Sequence, residues 1–134
     1  MLIEFELYQI VITEASQTQV IVIREKGGER CFPIYIGHNE AAAIDRKIND
    51  VIVPRPLTHD LMHNMIGKLG ARIMRVIVND MRDDYYMAIV ELLRDGEVIA
   101  VDSRPSDAIA LAVRSECPIF VEDHVLNALE SRGT

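Results

Sequence analysis

Apolar and polar residues alternate, or apolar residues form short runs, in three segments near the start of the chain: Ile3–Ile12, Gln19–Arg24 and Cys31–Ile36. This pattern is typical of β-strands. A Lys-Gly-Gly-Glu turn separates the second and third segments, as in a hairpin. Residues 40–48 then combine strong helix formers without a helix breaker. We therefore expect three strands followed directly by a helix.

The apolar spacing changes again after residue 57. Thr58 is predicted to be the N-cap of a second helix, because its hydroxyl precedes apolar residues at helical spacing. Gly70 is the expected stop signal. The apolar stripe of this helix consists of Leu61, Met62, Met65, Ile66 and Leu69.

The remaining chain resembles the first part in its order of patterns. Three further strands are predicted at Arg72–Val78, Tyr85–Leu93 and Glu97–Val101. An Asp-Gly pair, a strong hairpin signal, joins the last two. Ser106 is predicted to cap a third helix over 107–114. A short strand at 118–121 and a helix at 125–129 complete the elements.

The two halves form a weak internal β-β-β-α repeat, with offsets of 66, 68 and 67 residues between matching positions. The last offset pairs Glu40 with Asp107, two acids in the first turn of matching helices, where the helix dipole favours a carboxylate. We expect an α+β fold with mostly antiparallel sheets. A single small domain is predicted over residues 1–130, with a frayed tail at 131–134.

Length and composition favour one compact domain of 134 residues. No apolar run reaches the roughly 20 residues that span a bilayer, and no basic, signal-like start precedes the first strand. We expect a cytoplasmic protein without a membrane partner. Cys31 and Cys117 lack a CxxC spacing, which argues against a disulfide scaffold or a thiolate metal site.

Charge is unevenly distributed along the chain. The net charge is −7, yet residues 46–82 contain seven basic and three acidic residues, a local balance of +4. Such a region can attract a phosphate backbone, although charge runs also form ordinary solvated faces. Lys68, Arg72 and Arg75 are the candidate nucleic-acid contacts in this region.

Two Arg-Pro segments contain the densest polar residues, at 54–60 and 102–107. Each places an arginine (Arg55, Arg104) before a hydroxyl and a first-turn acid (Asp60, Asp107). Arginine can bind a phosphate, and carboxylates can hold a divalent metal beside it. The alternative interpretation is an ion-pair network that only ties helix starts together.

His59 and His63 have the four-residue spacing of the H-E-x-x-H zinc motif, with aspartate in place of glutamate. Aspartate is one methylene shorter, and no third ligand follows at the usual spacing. His59 is therefore better interpreted as a general base or phosphate contact than as a zinc ligand.

Several segments together resemble the bifunctional nuclease family: 33–41, 54–61, 102–112 and 118–121. The resemblance extends from about Glu4 to Leu126. It implies a small α+β domain that assembles as a homo-oligomer, and characterised plant members degrade both DNA and RNA. The positions that match the family's motifs are Glu40, Arg55, Thr58, His59, Asp60, Asp102, Arg104, Ser106 and Asp107.

The leading hypothesis is a nuclease that hydrolyses DNA or RNA with little sequence preference. Asp107, Asp60 and Glu40 would hold Mg²⁺ or Mn²⁺, and His59 would activate water. Arg55 and Arg104 would bind the scissile phosphate, in a homo-oligomer that is a dimer or trimer. The alternative is a non-catalytic binding or assembly module in which the same residues form an interface network or an anion site.

Overall fold

A computed structural model of the protein describes residues 1–13, 15 and 18–132. The described residues form seven strands: Leu2–Val11 (β1), Thr18–Glu25 (β2), Cys31–Gly37 (β3), Ala71–Arg82 (β4), Tyr85–Arg94 (β5), Glu97–Ser103 (β6) and Ile119–Glu122 (β7). They also form four helices: His38–Ile48 (α1), Thr58–Lys68 (α2), Pro105–Ser115 (α3) and Asp123–Arg132 (α4). The α+β fold class predicted from sequence is confirmed.

The strands form one sheet in the order β3-β2-β1-β7-β4-β5-β6. Each predicted β-β-β-α unit is present, as an antiparallel meander followed by α1 or α3. The short strand β7 joins the two meanders, antiparallel to β1 and parallel to β4. At the β5–β6 turn, Asp95 and Gly96 both have positive φ, 50° and 78°, as a type I′ hairpin requires.

The sheet curls strongly around its core. Phe32 on β3 stacks on Tyr86 of β5 with ring centroids 5.5 Å apart, although four strands lie between them in the sheet. Neighbouring strands are about 4.8 Å apart, so a flat sheet would separate the two rings by more than 20 Å. The curl lets one apolar core include both meanders, with α3 buried along most of its length.

Helix α2 is packed more loosely than α3. His59 is its one buried residue, while Met62 and Ile66 are partly buried against the core. The apolar stripe predicted for this helix is thus only partly covered. Met65 and Leu69 remain 55% and 66% exposed.

The two predicted helix caps are wrong. Thr58 and Ser106 lie inside α2 and α3, whose N-caps are the extended residues Leu57 and Arg104. Helix α2 starts one residue earlier than predicted, and α3 starts two residues earlier. In both helices this start places an acid at the third helical position, and in α3 it places a proline at the first position, which proline fits well. In α2 the Leu57 amide donates a hydrogen bond of 3.1 Å to Asp60 Oδ2.

The predicted tail falls partly within α4. Ser131 and Arg132 belong to the helix, and Gly133 and Thr134 lie outside the described residues. Among the described helices, none has the length and apolar character needed to cross a bilayer.

Candidate functional site

Three helices, α1, α2 and α3, each carry an acidic residue in the first turn. Glu40, Asp60 and Asp107 each occupy the third position of their helix, α1, α2 and α3. His59 Nε2 lies 3.0 Å from Asp107 Oδ1, so the starts of α2 and α3 are joined directly. The His59 side chain is only 10% exposed. The structure thus brings His59 and Asp107 together, as the sequence hypothesis requires.

Arg104 connects this pair to α1. Its Nε donates a hydrogen bond of 2.9 Å to Asp107 Oδ2, which also lies 2.8 Å from Nη2 in an ion pair, and Nη2 donates to Glu40 Oε1 at 2.9 Å. The hydrogen bond to Asp107 and the charge of that carboxylate, and then the hydrogen bond to Glu40, raise the pKa of the Arg104 guanidinium. Glu40, Arg104, Asp107 and His59 therefore form one network, which we call the helix-start network.

Gly37 makes room for one member of the network. It is the N-cap of α1, and a Cβ at this position would clash with the Glu40 carboxylate oxygen Oε2. The carboxylate therefore folds back over the start of its own helix. In this position the Glu40 carboxylate can accept a hydrogen bond from Arg104, the N-cap of α3.

Asp60 belongs to a separate pair. Its Oδ1 accepts a hydrogen bond of 2.9 Å from Arg114 Nε on α3, and its Oδ2 accepts from the Leu57 amide. Burial raises the pKa of Asp60, but the Leu57 amide and Arg114 outweigh it, with a smaller effect of Arg46, and the pKa lies below its usual value. Asp60 acts as a helix-start and α2–α3 contact, away from the carboxylates of Glu40 and Asp107.

Two grooves meet at His59. The larger groove has a volume of about 990 Å³ and is lined by Glu40, His59, Asp102, Arg104 and Asp107 at its polar end. The smaller groove, of about 500 Å³, contains the Asp60–Arg114 pair. Residues shared by both grooves are Arg46, Leu57 and His59. The helix-start network is therefore accessible to a ligand.

Arg46 is a candidate site residue that no motif indicated. It is half-buried in the last turn of α1, lines both grooves, and makes no ion pair with any other residue that the structure describes. Asn39, Ala42 and Ala43 line the grooves from the same helical face. The two small alanines one turn before an arginine are the signal that could have identified it.

The other predicted phosphate and backbone contacts lie elsewhere. Arg55, Lys68 and Arg72 are exposed, and none of them lines either groove. Arg75 pairs with Glu91, and its guanidinium lies 5.4 Å from the centre of the Phe120 ring. The structure therefore brings Arg104 to the site but not Arg55.

The predicted metal ligands do not form a ligand set. Within residues 1–13, 15 and 18–132, no three His, Cys, Asp or Glu side chains are grouped so as to hold a metal ion. Arg104 occupies the position between Glu40 and Asp107 that a cation would need. The two histidines of the alternative zinc site have separate partners. His59 contacts Asp107, whereas His63 Nδ1 lies 2.9 Å from Ser115 Oγ.

Comparison with known proteins identifies the family. A sequence model of the bifunctional nuclease domain matches residues 21–132. An uncharacterised protein of Mycobacterium tuberculosis is 39% identical over 123 residues, covering 92% of this chain and 73% of its own length. Bifunctional nuclease 2 of rice (Oryza sativa subsp. japonica) is 34% identical over 114 residues, 82% of this chain and 35% of that protein. Bifunctional nuclease 1 of Arabidopsis thaliana is 27% identical, with 83% and 35% coverage. The chain is therefore a member of the bifunctional nuclease domain family.

Proposed function

We propose that this protein hydrolyses phosphodiester bonds of DNA and RNA with little sequence preference. The observation that supports this most directly is the helix-start network, in which a histidine, a carboxylate and an exposed arginine meet in a groove. The family membership and the names of the plant relatives agree with a nucleic-acid substrate. Arginine binds phosphate, which every nucleotide carries, so the site favours no base.

His59 is the proposed general base. A carboxylate accepts hydrogen bonds, so the contact with Asp107 places the imidazole proton on Nε2. Nδ1 then carries a lone pair, and in the part of the chain that the structure describes it has no hydrogen-bond partner. A water molecule in the groove would give its proton to Nδ1 while its oxygen attacks phosphorus. Asp107 orients the ring and stabilises the imidazolium that forms.

Arg104 is the proposed phosphate ligand. Its side chain is 67% exposed, and its contacts with Glu40 and Asp107 use Nε and Nη2. Nη1 remains for a nonbridging phosphate oxygen. The two carboxylates fix the guanidinium in advance, so little ordering is needed when charge develops on the phosphate. The bond to the leaving oxygen then breaks, and that oxygen takes a proton from solvent.

The residues as they lie do not fit a bound Mg²⁺ or Mn²⁺. Binding one at Glu40 and Asp107 would require Arg104 to leave both carboxylates. The proposed reaction therefore uses no metal step. Dependence of cleavage on Mg²⁺ or Mn²⁺ stays a prediction from the sequence.

A binding or assembly module is the second candidate function. The observation that favours it is that the helix-start network joins three helices. Arg104 connects the starts of α1 and α3, and His59 connects the start of α2 to α3. In this account the residues stabilise the packing of three helices and do no chemistry. Replacement of a network residue would then lower the free energy of unfolding without affecting any hydrolysis.

A homo-oligomer is also proposed, with β6 as the contact. This strand is an edge of the sheet, and its apolar residues Val98, Ile99 and Val101 are 53%, 40% and 43% exposed. An exposed apolar edge strand is a template for pairing with another chain. Because Val101 also lines the larger groove, a second copy paired here would extend the groove wall.

Cleavage of labelled single- and double-stranded DNA and RNA tests the proposed activity. The reactions contain Mg²⁺, Mn²⁺ or EDTA, and compare the parent protein with His59→Gln and His63→Gln. Glutamine at residue 59 can still donate to Asp107 but is no base, so cleavage should fall about 10²–10⁴-fold. His63→Gln, on the same helix but outside both grooves, should keep cleavage. Equal cleavage by the parent and His59→Gln would contradict the proposal.

A further inference from the structure

We infer that the apolar end of the larger groove binds an unpaired nucleobase, so that the substrate is a single strand of nucleic acid. This inference rests on the proposed nuclease function and names the form of its substrate. It concerns the part of the groove that the helix-start network does not use.

The groove changes character along its length. Beyond the polar end, its lining is apolar and comes from α2, β5 and β6: Met62, Met65, Ile66, Leu69, Val90, Leu92 and Val101. Met62, Ile66 and Leu92 pack on the core and form a floor, whereas Met65, Leu69 and Val101 are exposed and form a rim. The volume of about 990 Å³ is at the upper end of the ~300–1,000 Å³ of ligand pockets.

A nucleotide has the same division of polarity as the groove. Its phosphate is anionic, and the faces of its base are apolar and aromatic. Arg104 lies at the polar end and Arg46 lines the same groove, and both charges complement the phosphate. Thioether sulfur makes favourable contacts with aromatic rings, and methionine adapts to rings of different shape. Met62 and Met65 therefore suit a purine or a pyrimidine equally.

A paired strand cannot use this surface. In a duplex each base is stacked on its neighbours, and its faces are not available to the protein. Proteins bind base faces in single strands, where the contact tolerates any sequence. The apolar half of the groove thus favours unpaired DNA or RNA over duplexes without selecting a base.

Fluorescence anisotropy tests the inference with three labelled probes of one length: a single strand, a duplex, and a single strand without bases. Probe integrity is checked on a gel after short incubations. The variant Met65→Gln removes an apolar contact from the rim. Leu61→Gln is the matched control, because Leu61 lies on the same helix, is 51% exposed, and lines neither groove.

The parent should bind the single strand about tenfold more tightly than the other two probes, and Met65→Gln should remove most of that preference. Leu61→Gln should leave all three affinities unchanged. Equal affinity for the three probes, or equal effects of the two variants, would overturn the inference. A change of oligomeric state in Met65→Gln with unchanged binding would also overturn it, by assigning the surface to a second copy.

The outcomes separate this inference from the nuclease function. Base-dependent binding without cleavage would overturn the hydrolysis and leave the base site standing. Cleavage of duplexes as fast as single strands, unaffected by Met65→Gln, would overturn the base site alone. Binding of none of the probes would overturn both.

Discussion

His59 on α2 and Asp107 on α3 are 48 residues apart in the chain and joined by a contact of 3.0 Å between Nε2 and Oδ1. The contact attaches the start of the loosely packed helix α2 to the buried helix α3. The proposed chemistry and the packing of α2 therefore depend on the same atoms. Every variant of the helix-start network needs a measurement of folding beside its measurement of activity.

Gly37→Ala should weaken the network without straining the backbone. The φ of Gly37 is −74°, which alanine adopts freely, but its Cβ would displace the Glu40 carboxylate from Arg104. We expect the free energy of unfolding to fall by less than about 1 kcal/mol, because Arg104 is largely exposed. The rate of cleavage should fall by more than this change in the free energy of unfolding would explain. The reason is that Arg104, the proposed phosphate ligand, loses its hydrogen bond to Glu40 and keeps only the one to Asp107.

A double-mutant cycle shows whether Gly37 acts through Glu40. Gly37→Ala is measured in the parent and in Glu40→Ala. The substitution should have no further effect on cleavage when the carboxylate is already gone. An undiminished effect in Glu40→Ala would show that the alanine acts on the backbone of α1 instead.

Asp60→Asn should destabilise the fold by about 1–2 kcal/mol at neutral pH, because the start of α2 loses a charged acceptor and Arg114 loses its partner. The folded-state pKa of Asp60 is lower than 3.8, its value in the unfolded chain. Its contribution is thus present above that pH and is lost as the pH falls through the folded-state pKa. Urea unfolding at steps from about pH 7 to 2.5 should show the two proteins converging in acid. A constant difference at all pH values would contradict the ion pair.

His63 should make the fold less stable in mild acid. Burial lowers its pKa, and Arg114 lowers it further, below the usual value of 6.5. The unfolded chain therefore takes up a proton first, and stability declines as the pH falls below about 6.5 until the folded-state pKa is passed. His63→Gln should flatten this part of the profile. His38→Gln, which removes an exposed imidazole, should leave it unchanged.

We expect Val98→Lys to be a monomer, because a charge on the edge strand β6 opposes its pairing with β6 of a second copy. Tyr35→Lys is the control, since Tyr35 is 69% exposed on the other edge strand, β3. Sedimentation velocity distinguishes the species. A parent protein that is monomeric, or a variant that remains oligomeric, would contradict the assignment of β6.

Local pattern predicted the elements well, because alternation and helical spacing are properties of neighbouring residues. The hairpins and α1–α4 are all present, and Asp95-Gly96 forms the expected turn. The pattern did not predict that β7 inserts between β1 and β4, because strand pairing between distant segments leaves no local signal. It also placed two caps one or two positions late.

The site was predicted in part for the same reason. Motif spacing identified His59, Arg104 and Asp107, which the fold brings together. It also grouped Asp60 with them, whereas Arg114 holds Asp60 in the neighbouring pair. Arg46 belongs to no motif, and its importance depends on two grooves that exist only after α1 and α2 pack on α3.

The rate of nucleic-acid cleavage by Asp107→Asn tests the central claim most directly. Asp102→Asn is the matched control, because Asp102 lines the same groove but forms no hydrogen bond or ion pair with the helix-start network. With folding verified by circular dichroism and urea unfolding, Asp107→Asn should lose about 10²–10⁴-fold in cleavage rate while Asp102→Asn stays near the parent. Equal cleavage by a folded Asp107→Asn protein would contradict a catalytic network and leave it a structural one.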